Sequence, residues 1–334
     1  MKKTALRSGI VPPPRPSSNL SLSDLMFHAQ SWLYDGEARQ HSSQIISVRR
    51  HVLDKLHWLL VKRGYTACGT QEIRAFLAYT SSGHLEPGGR WGNPHLTQPV
   101  RPRTVKDYHA HLRTFFRWLI AQRVLAESPM EMIAAPVSRA DQIQPFSEAQ
   151  VNALLAAARR SRHPLRDEAI MLFLLDTGVR ASELCGLRQK DVDLQEQRCV
   201  VLGKGNKHRV SHFGRDTRRA LFNYLRDEVK DPDAALFRSD RGETAGEALT
   251  RWGLRQIIER AGQAAKIEAT RCSPHTFRHT MAVTWLRNGG QVFALKELLG
   301  HTDLKMTNRY VALAQADVAN QHRRFSPADS LKKR

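Results

Sequence analysis

Four short segments hold residue types that act on anions. SPHTFRHTMAVTWLRNG puts His275 and Arg278 one turn apart at the start of a helix that Ser273 and Pro274 open. Beside the free N–H groups of that first turn, the two side chains make an anion site. DTGVRASEL sets Arg180 just past a helix-ending glycine, within reach of Glu183. GKGNKHR carries Lys204 and Lys207 in a tight turn. ELLGHTDLKMTNRYVAL places His301 after Gly300, with Tyr310 on the helix that follows. Taken singly, each has an ordinary alternative. Arg180 can cap a helix or pair with Glu183, a lysine in a hairpin turn is usually solvated, and Tyr310 can be a half-buried core aromatic. His275 and His279 are four apart, as in HExxH zinc enzymes. Thr276 stands where that motif needs Glu, and no further Cys, Asp or Glu cluster completes a ligand set, so no metal is expected. GxxxxGK[ST] is absent, which removes a Walker loop.

Composition narrows the ligand. Among 334 residues, 52 Lys and Arg stand against 32 Asp and Glu, a net charge of +20. Such an excess points to a polyanion, because neutralising phosphates releases condensed counterions. No apolar run reaches transmembrane length, and no basic amphipathic anchor stands at a terminus, so a membrane is not the expected partner. The opening MKKTALRSGIVPPPRPSSNLS has Pro and Ser where a signal peptide needs an apolar stretch, and residues 1–19 read as a flexible tail of a cytoplasmic protein. Cys68, Cys185, Cys199 and Cys272 are scattered without a CxxC pair and are expected as reduced core thiols.

The chemistry-bearing segments need elements to hold them. Helical spacing runs through Leu20–Trp32, Ser42–Lys62 (Ile45, Val48, Val52, Leu56, Leu59), Thr70–Tyr79 and Thr104–Gln122. The last of these has an opposite face of Arg103, Lys106, Arg113 and Arg117, which is either a solvated surface or a contact to DNA. The Gly/Pro-rich stretch between Ser81 and Arg103 is either an accessory loop that contacts DNA or protein or a disordered segment, and composition slightly favours disorder. Residues 134–145, with Pro136 and Pro145, read as a linker between a helical domain over 20–133 and a second domain over 146–314. The second opens on a capping box, Ser147 to Gln150, followed by a buried helix Arg166–Asp176 that ends at Gly178. Two β-rich runs flank the Lys204 turn as a hairpin, and helical patterns resume from Ala245. The fold expected is mainly α, with a small antiparallel β-sheet in the C-terminal domain.

Taken together and in order, an arginine in TGxRxxEL, a lysine in GKGxK, HxxRH, LGH and a late tyrosine resemble the tyrosine recombinase (phage integrase-like) family, over roughly Pro145 to Ala314. The family includes the Xer and integron recombinases. The resemblance implies a helical core-binding domain and a catalytic domain that clamp DNA. It implies that Tyr310 attacks a phosphodiester to form a 3′-phosphotyrosyl link, while Arg180 and Arg278 hold the non-bridging oxygens. Lys204 protonates the departing 5′-oxygen, His275 takes the tyrosine proton, His301 hydrogen-bonds the phosphate, and Glu183 supports the site. Lys207 joins the basic face of Arg103, Lys106, Arg113 and Arg117 as a candidate DNA contact. Fixed guanidiniums can do here the work that metal ions do in many nucleases, and the covalent link conserves the energy of the broken bond, so neither metal nor nucleotide cofactor is expected.

The implied partners are double-stranded DNA and a homotetramer assembled on two sites from free monomers, with a second recombinase or an accessory DNA-bending protein as further candidates. The tail over 315–334, with Val318 and HRRF, is expected to dock on a neighbouring subunit. The alternatives are a type IB topoisomerase-like relaxing enzyme and a non-catalytic DNA-binding relic. A relic should have lost one of the six residues, and all six are present.

Overall fold

Ile46, Val52, Leu53, Leu56, Leu59 and Leu60 form a buried stripe along one helix, and the first half of the chain packs around it. The structure, a computed structural model, describes residues 19–84, 88–138, 144–203, 208–226, 230–240, 245–300, 303–314, 322 and 326–331. The chain divides into two units, Met1–Asp141 and Gln142–Arg334.

The first unit contains β1 (Leu20–Ser21), α1 (Leu22–Ala38), α2 (Ser43–Lys62), β2 (Ala67–Cys68), α3 (Thr70–Ser81) and α4 (Pro102–Ala121). β1 and β2 pair antiparallel, Leu20 opposite Cys68, a ladder too short to leave a period-two signature in the sequence. α1 continues past Trp32 to Ala38 because its buried face carries on through Leu33 and Gly36. Serines set the starts of two helices: Ser21 accepts from the Asp24 N–H at 3.1 Å, and Ser42 accepts from that of Ile45 at 3.4 Å. α4 is sharply two-sided. Val105, Tyr108, Leu112, Phe115, Phe116 and Leu119 are buried, while Arg103, Lys106, Arg113 and Arg117 are exposed.

The disorder expected between Ser81 and Arg103 does not hold for the described part, residues 82–84 and 88–101. The Trp91 ring lies 5.7 Å from Trp58, 5.8 Å from Phe76 and 5.3 Å from Tyr79, centroid to centroid. The His84 N–H donates to Thr97 at 2.7 Å, that of Val100 donates to Thr80 at 2.9 Å, and Arg90 is buried with Nη1 on the Gln98 carbonyl. One large aromatic anchor offsets the ordering entropy of a segment whose Gly and Pro content alone suggests disorder.

The second unit contains α5 (Glu148–Arg159), α6 (Pro164–Thr177), α7 (Ala181–Gly186), β3 (Val192–Asp193), β4 (Arg198–Leu202), β5 (His208–His212), α8 (Arg215–Leu225), α9 (Arg251–Ala264), α10 (Pro274–Arg287), α11 (Val292–Leu299), α12 (Leu304–Ala314) and α13 (Pro327–Leu331). The Ser147 capping box forms in both directions, at 3.2 and 2.9 Å. α6 is the centre: Ala169, Ile170, Met171, Phe173 and Leu174 are fully buried, each large side chain contributing about 1.5–3 kcal/mol by burial. β3, β4 and β5 form an antiparallel sheet in that order, with Val200 opposite Val210 and Leu202 opposite His208. A second apolar cluster joins Met281, Val283 and Leu286 of α10 to Leu295 and Leu299 of α11 and to Tyr310 and Ala314 of α12. The described chain is thus mainly helical with small antiparallel sheets, and none of its helices is long and apolar enough to cross a membrane. The four cysteines are free thiols, and burial pushes Cys68 and Cys199 up to about 12. The tail over 1–18 lies outside the described residues, as does most of 315–334.

Candidate active site

α6 stops at Gly178, whose φ of +58° is left-handed. A Cβ there would come within 2.9 Å of the Leu299 side chain, so glycine is needed both for the backbone angle and for the close approach of α11. The sharp exit places Arg180 at the start of α7 and turns the Gly178 carbonyl toward α10. Arg278 of α10 donates Nη1 to that carbonyl and Nη2 to the carbonyl of Leu299, both at 2.6 Å. Its guanidinium is thereby fastened to the ends of α6 and α11. Burial lowers its pKa to about 10, helped by repulsion from Arg180, and it still carries its charge at neutral pH.

Glu183 sits beneath the arginines with 6% exposure. Its carboxylate accepts the Arg180 N–H at 2.7 Å, Arg180 Nη1 at 2.8 Å, and Arg209 Nη1 and Nη2 at 2.8 and 2.7 Å. Burial works to raise the Glu183 pKa, but the bonds from Arg209 and Arg180 overcome it and hold the carboxyl at about 2. Arg209 Nε also donates to the Leu298 carbonyl at 2.9 Å, so this β5 residue ties the sheet to the end of α11. α11 itself ends at Gly300, φ +61°, packed against the Arg209 side chain.

Ser273 caps α10 through the Thr276 N–H at 3.3 Å, with Pro274 in the first turn. His275 follows and remains accessible. Partial loss of hydration, and then Arg278, Arg180 and Arg271, push its imidazole below the ordinary value. One turn on, His279 Nδ1 lies 2.9 Å from Tyr310 Oη. Burial first, then His275, Arg278 and Arg309, lower the His279 pKa to about 4, so the ring is neutral at physiological pH. Tyr310 is 5% exposed. Burial raises its pKa, opposed by Arg278, Arg309 and Arg180, and Arg278 also hydrogen-bonds its hydroxyl.

The structure therefore brings Arg180, Glu183, Arg278 and Tyr310 together, with His275 on the same face of α10 as His279. Lys204 and Lys207, between β4 and β5, and His301, next after Gly300, lie outside the described residues. Arg103, Lys106, Arg113 and Arg117 belong to the other unit and share the exposed face of α4. Sequence reasoning passed over two site residues. His279 was weighed only as a metal ligand paired with His275; the two rings are 6.4 Å apart, and among the described residues no group of three or more His, Cys, Asp or Glu could hold a metal ion. Arg209 carried no motif; the one hint was a buried Glu183 needing more cation than Arg180 supplies. Chemically, the site offers fixed guanidiniums for an anion's oxygens and a phenol whose hydroxyl touches both an arginine and a neutral imidazole.

Comparison with known proteins gives the family. The model of the phage integrase family matches residues 144–317. Tyrosine recombinase XerD of Pseudomonas aeruginosa is 34% identical over 238 residues, covering 70% of this chain and 78% of the relative. Tyrosine recombinase XerD of Listeria monocytogenes is 29% identical over 290 residues, covering 82% and 97%. Among solved structures, the XerH site-specific recombinase bound to a palindromic difH substrate, a post-cleavage complex, superposes with a TM-score of 0.65 at 19% identity, over 92% of this chain and 85% of that one. A lambda integrase dimer bound to a COC′ core site gives 0.65 at 15% identity, over 88% and 77%. These two show a shared fold. With its motif order, its buried tyrosine and a family model spanning more than half its length, the chain belongs to the phage integrase family.

Proposed function

We propose that the chain is a site-specific tyrosine recombinase, which cuts and rejoins duplex DNA through a 3′-phosphotyrosyl bond at Tyr310. The observation that carries the residue assignment is the hydroxyl of Tyr310, buried against the Arg278 guanidinium and the His279 imidazole. A phosphodiester resists nucleophiles because its own charge repels them. Arg180 and Arg278 answer that charge with donors that stay protonated at neutral pH and need no reorganisation during reaction. Lys204 protonates the leaving 5′-oxygen, His301 bonds the phosphate, the accessible His275 serves in proton transfer, and Glu183 holds Arg180 in register.

The substrate is double-stranded DNA, drawn by a net charge of +20 and met in the first unit by Arg103, Lys106, Arg113 and Arg117, with Lys207 contributing from the second. The working form is a tetramer on two sites, assembled in the cytoplasm from monomers, with the segment after Tyr310 docking on a neighbour. The test is covalent trapping on nicked suicide duplexes tiled across the DNA flanking the chain's own gene. Wild type should give an adduct on denaturing gels that Tyr310→Phe does not. An adduct that persists in Tyr310→Phe would show the nucleophile to be another residue.

A further inference from the structure

We propose that His279 is a catalytic residue of strand cleavage, the base whose Nδ1 takes the Tyr310 proton as the phenolic oxygen bonds to phosphorus. The inference rests on the recombinase reading above and gives to His279 the tyrosine proton that the family resemblance gives to His275. Three observations carry it. Nδ1 is 2.9 Å from Tyr310 Oη, the hydrogen-bond reach a general base requires. Both rings are held: His279 lies on α10 one residue beyond the doubly anchored Arg278, and Tyr310 is packed on α12 among Met281, Leu286, Leu295 and Leu299. His275, the other imidazole on this face, is a full turn away, with its ring 6.4 Å from that of His279 and near Arg278, Arg180 and Arg271.

The step balances. The Tyr310 O–H bond breaks and its proton passes to Nδ1. The Oη lone pair forms the bond to phosphorus, and the P–O5′ bond breaks with its electron pair on O5′, which Lys204 protonates. In rejoining, the 5′-hydroxyl attacks phosphorus, the Oη–P bond breaks, and the imidazolium returns the proton to the phenolate. A base must be unprotonated to act, and the depressed basicity of His279 keeps it so near neutral pH. The charged and titratable groups around the pair are His275 and Arg278 on α10, Arg309 on α12 and Arg180 across the site, so the surroundings are cationic. Burial is the larger cause of the depressed basicity, and the negative charge of a bound phosphodiester opposes the cationic part of it as the Oη–P bond forms.

The test uses a nicked suicide duplex that wild type cleaves, with His279→Asn and His279→Ala in the full-length chain. Asparagine keeps a hydrogen-bond acceptor near the Nδ1 position but takes no proton. Gel shifts should show unchanged DNA affinity for both variants, which also shows that they fold. Single-turnover cleavage by His279→Asn should fall roughly 100-fold or more. Its rate should climb by roughly tenfold per pH unit, more steeply than wild type, because Tyr310 must then ionise unaided. Added imidazole should restore part of the rate to His279→Ala. Cleavage by His279→Asn within about threefold of wild type would overturn the proposal. So would a slow variant with the wild-type pH profile and no imidazole rescue, since His279 would then only position the tyrosine. An adduct formed by Tyr310→Phe is a separate failure, that of the recombinase assignment beneath it.

Discussion

Glu183 is the buried anion on which two arginines rest, and its protonation couples stability to pH. In the unfolded chain its carboxyl titrates near the ordinary 4.5; folded, it is held at about 2. A depressed carboxylate stabilises the fold above the higher value, and that stabilisation is lost as pH falls from 4.5 toward 2. The full contribution is about 3 kcal/mol. Glu183→Gln should therefore lower Tm near neutral pH by roughly 5–10 °C, and the gap to wild type should close as pH falls toward 2. A gap that stays constant with pH in thermal melts would show that the loss came from packing. Lys204, whose role rests on motif order, answers to a chemical test. Lys204→Ala should slow cleavage by about 10²–10⁴-fold, and a 5′-sulfur leaving group, which needs no proton, should recover much of the loss. If sulfur gives no rescue, another group is the acid.

At the scale of elements, the site depends on where helices stop. Gly178 and Gly300 end α6 and α11 in the left-handed region, and their neighbouring carbonyls, Gly178 and Leu299, are the two that hold Arg278. Gly178→Ala brings backbone strain of about 1–2 kcal/mol and forces a Cβ against Leu299 and Met281. We expect cleavage to fall by roughly tenfold or more through misplacement of Arg278, with DNA affinity retained. Equal losses in gel shift and cleavage would instead mean general unfolding. These stops were legible in the sequence, as were the Ser147 capping box, the buried run of α6 and the two faces of α4, because each is written in neighbours three or four residues apart. What could not be read depends on distant partners. Arg209 meets Glu183 across 26 residues and His279 meets Tyr310 across 31, and neither spacing has a local period. Trp91 was lost for a related reason: composition counted the glycines and prolines around it and missed the cage of Trp58, Phe76 and Tyr79 that receives it.

For the molecule as a whole, charge decides more than any single contact. A net +20 makes DNA affinity fall steeply with salt, and the slope of log affinity against log salt counts phosphates met, at about 0.9 each on duplex DNA. Of the four exposed cations on α4, Arg103 already pairs with Asp107 at 3.3 Å, so Lys106, Arg113 and Arg117 carry the sharper test. If all three meet phosphates, replacing them with alanine should flatten the slope by about 2–3. Single-turnover cleavage at saturating protein should change little, because α4 lies in the unit that lacks Arg180, Arg278 and Tyr310. The two readouts separate grip from chemistry. An unchanged salt slope would make the basic face of α4 a solvated surface, and the excess charge would then have to act from the second unit and the tails.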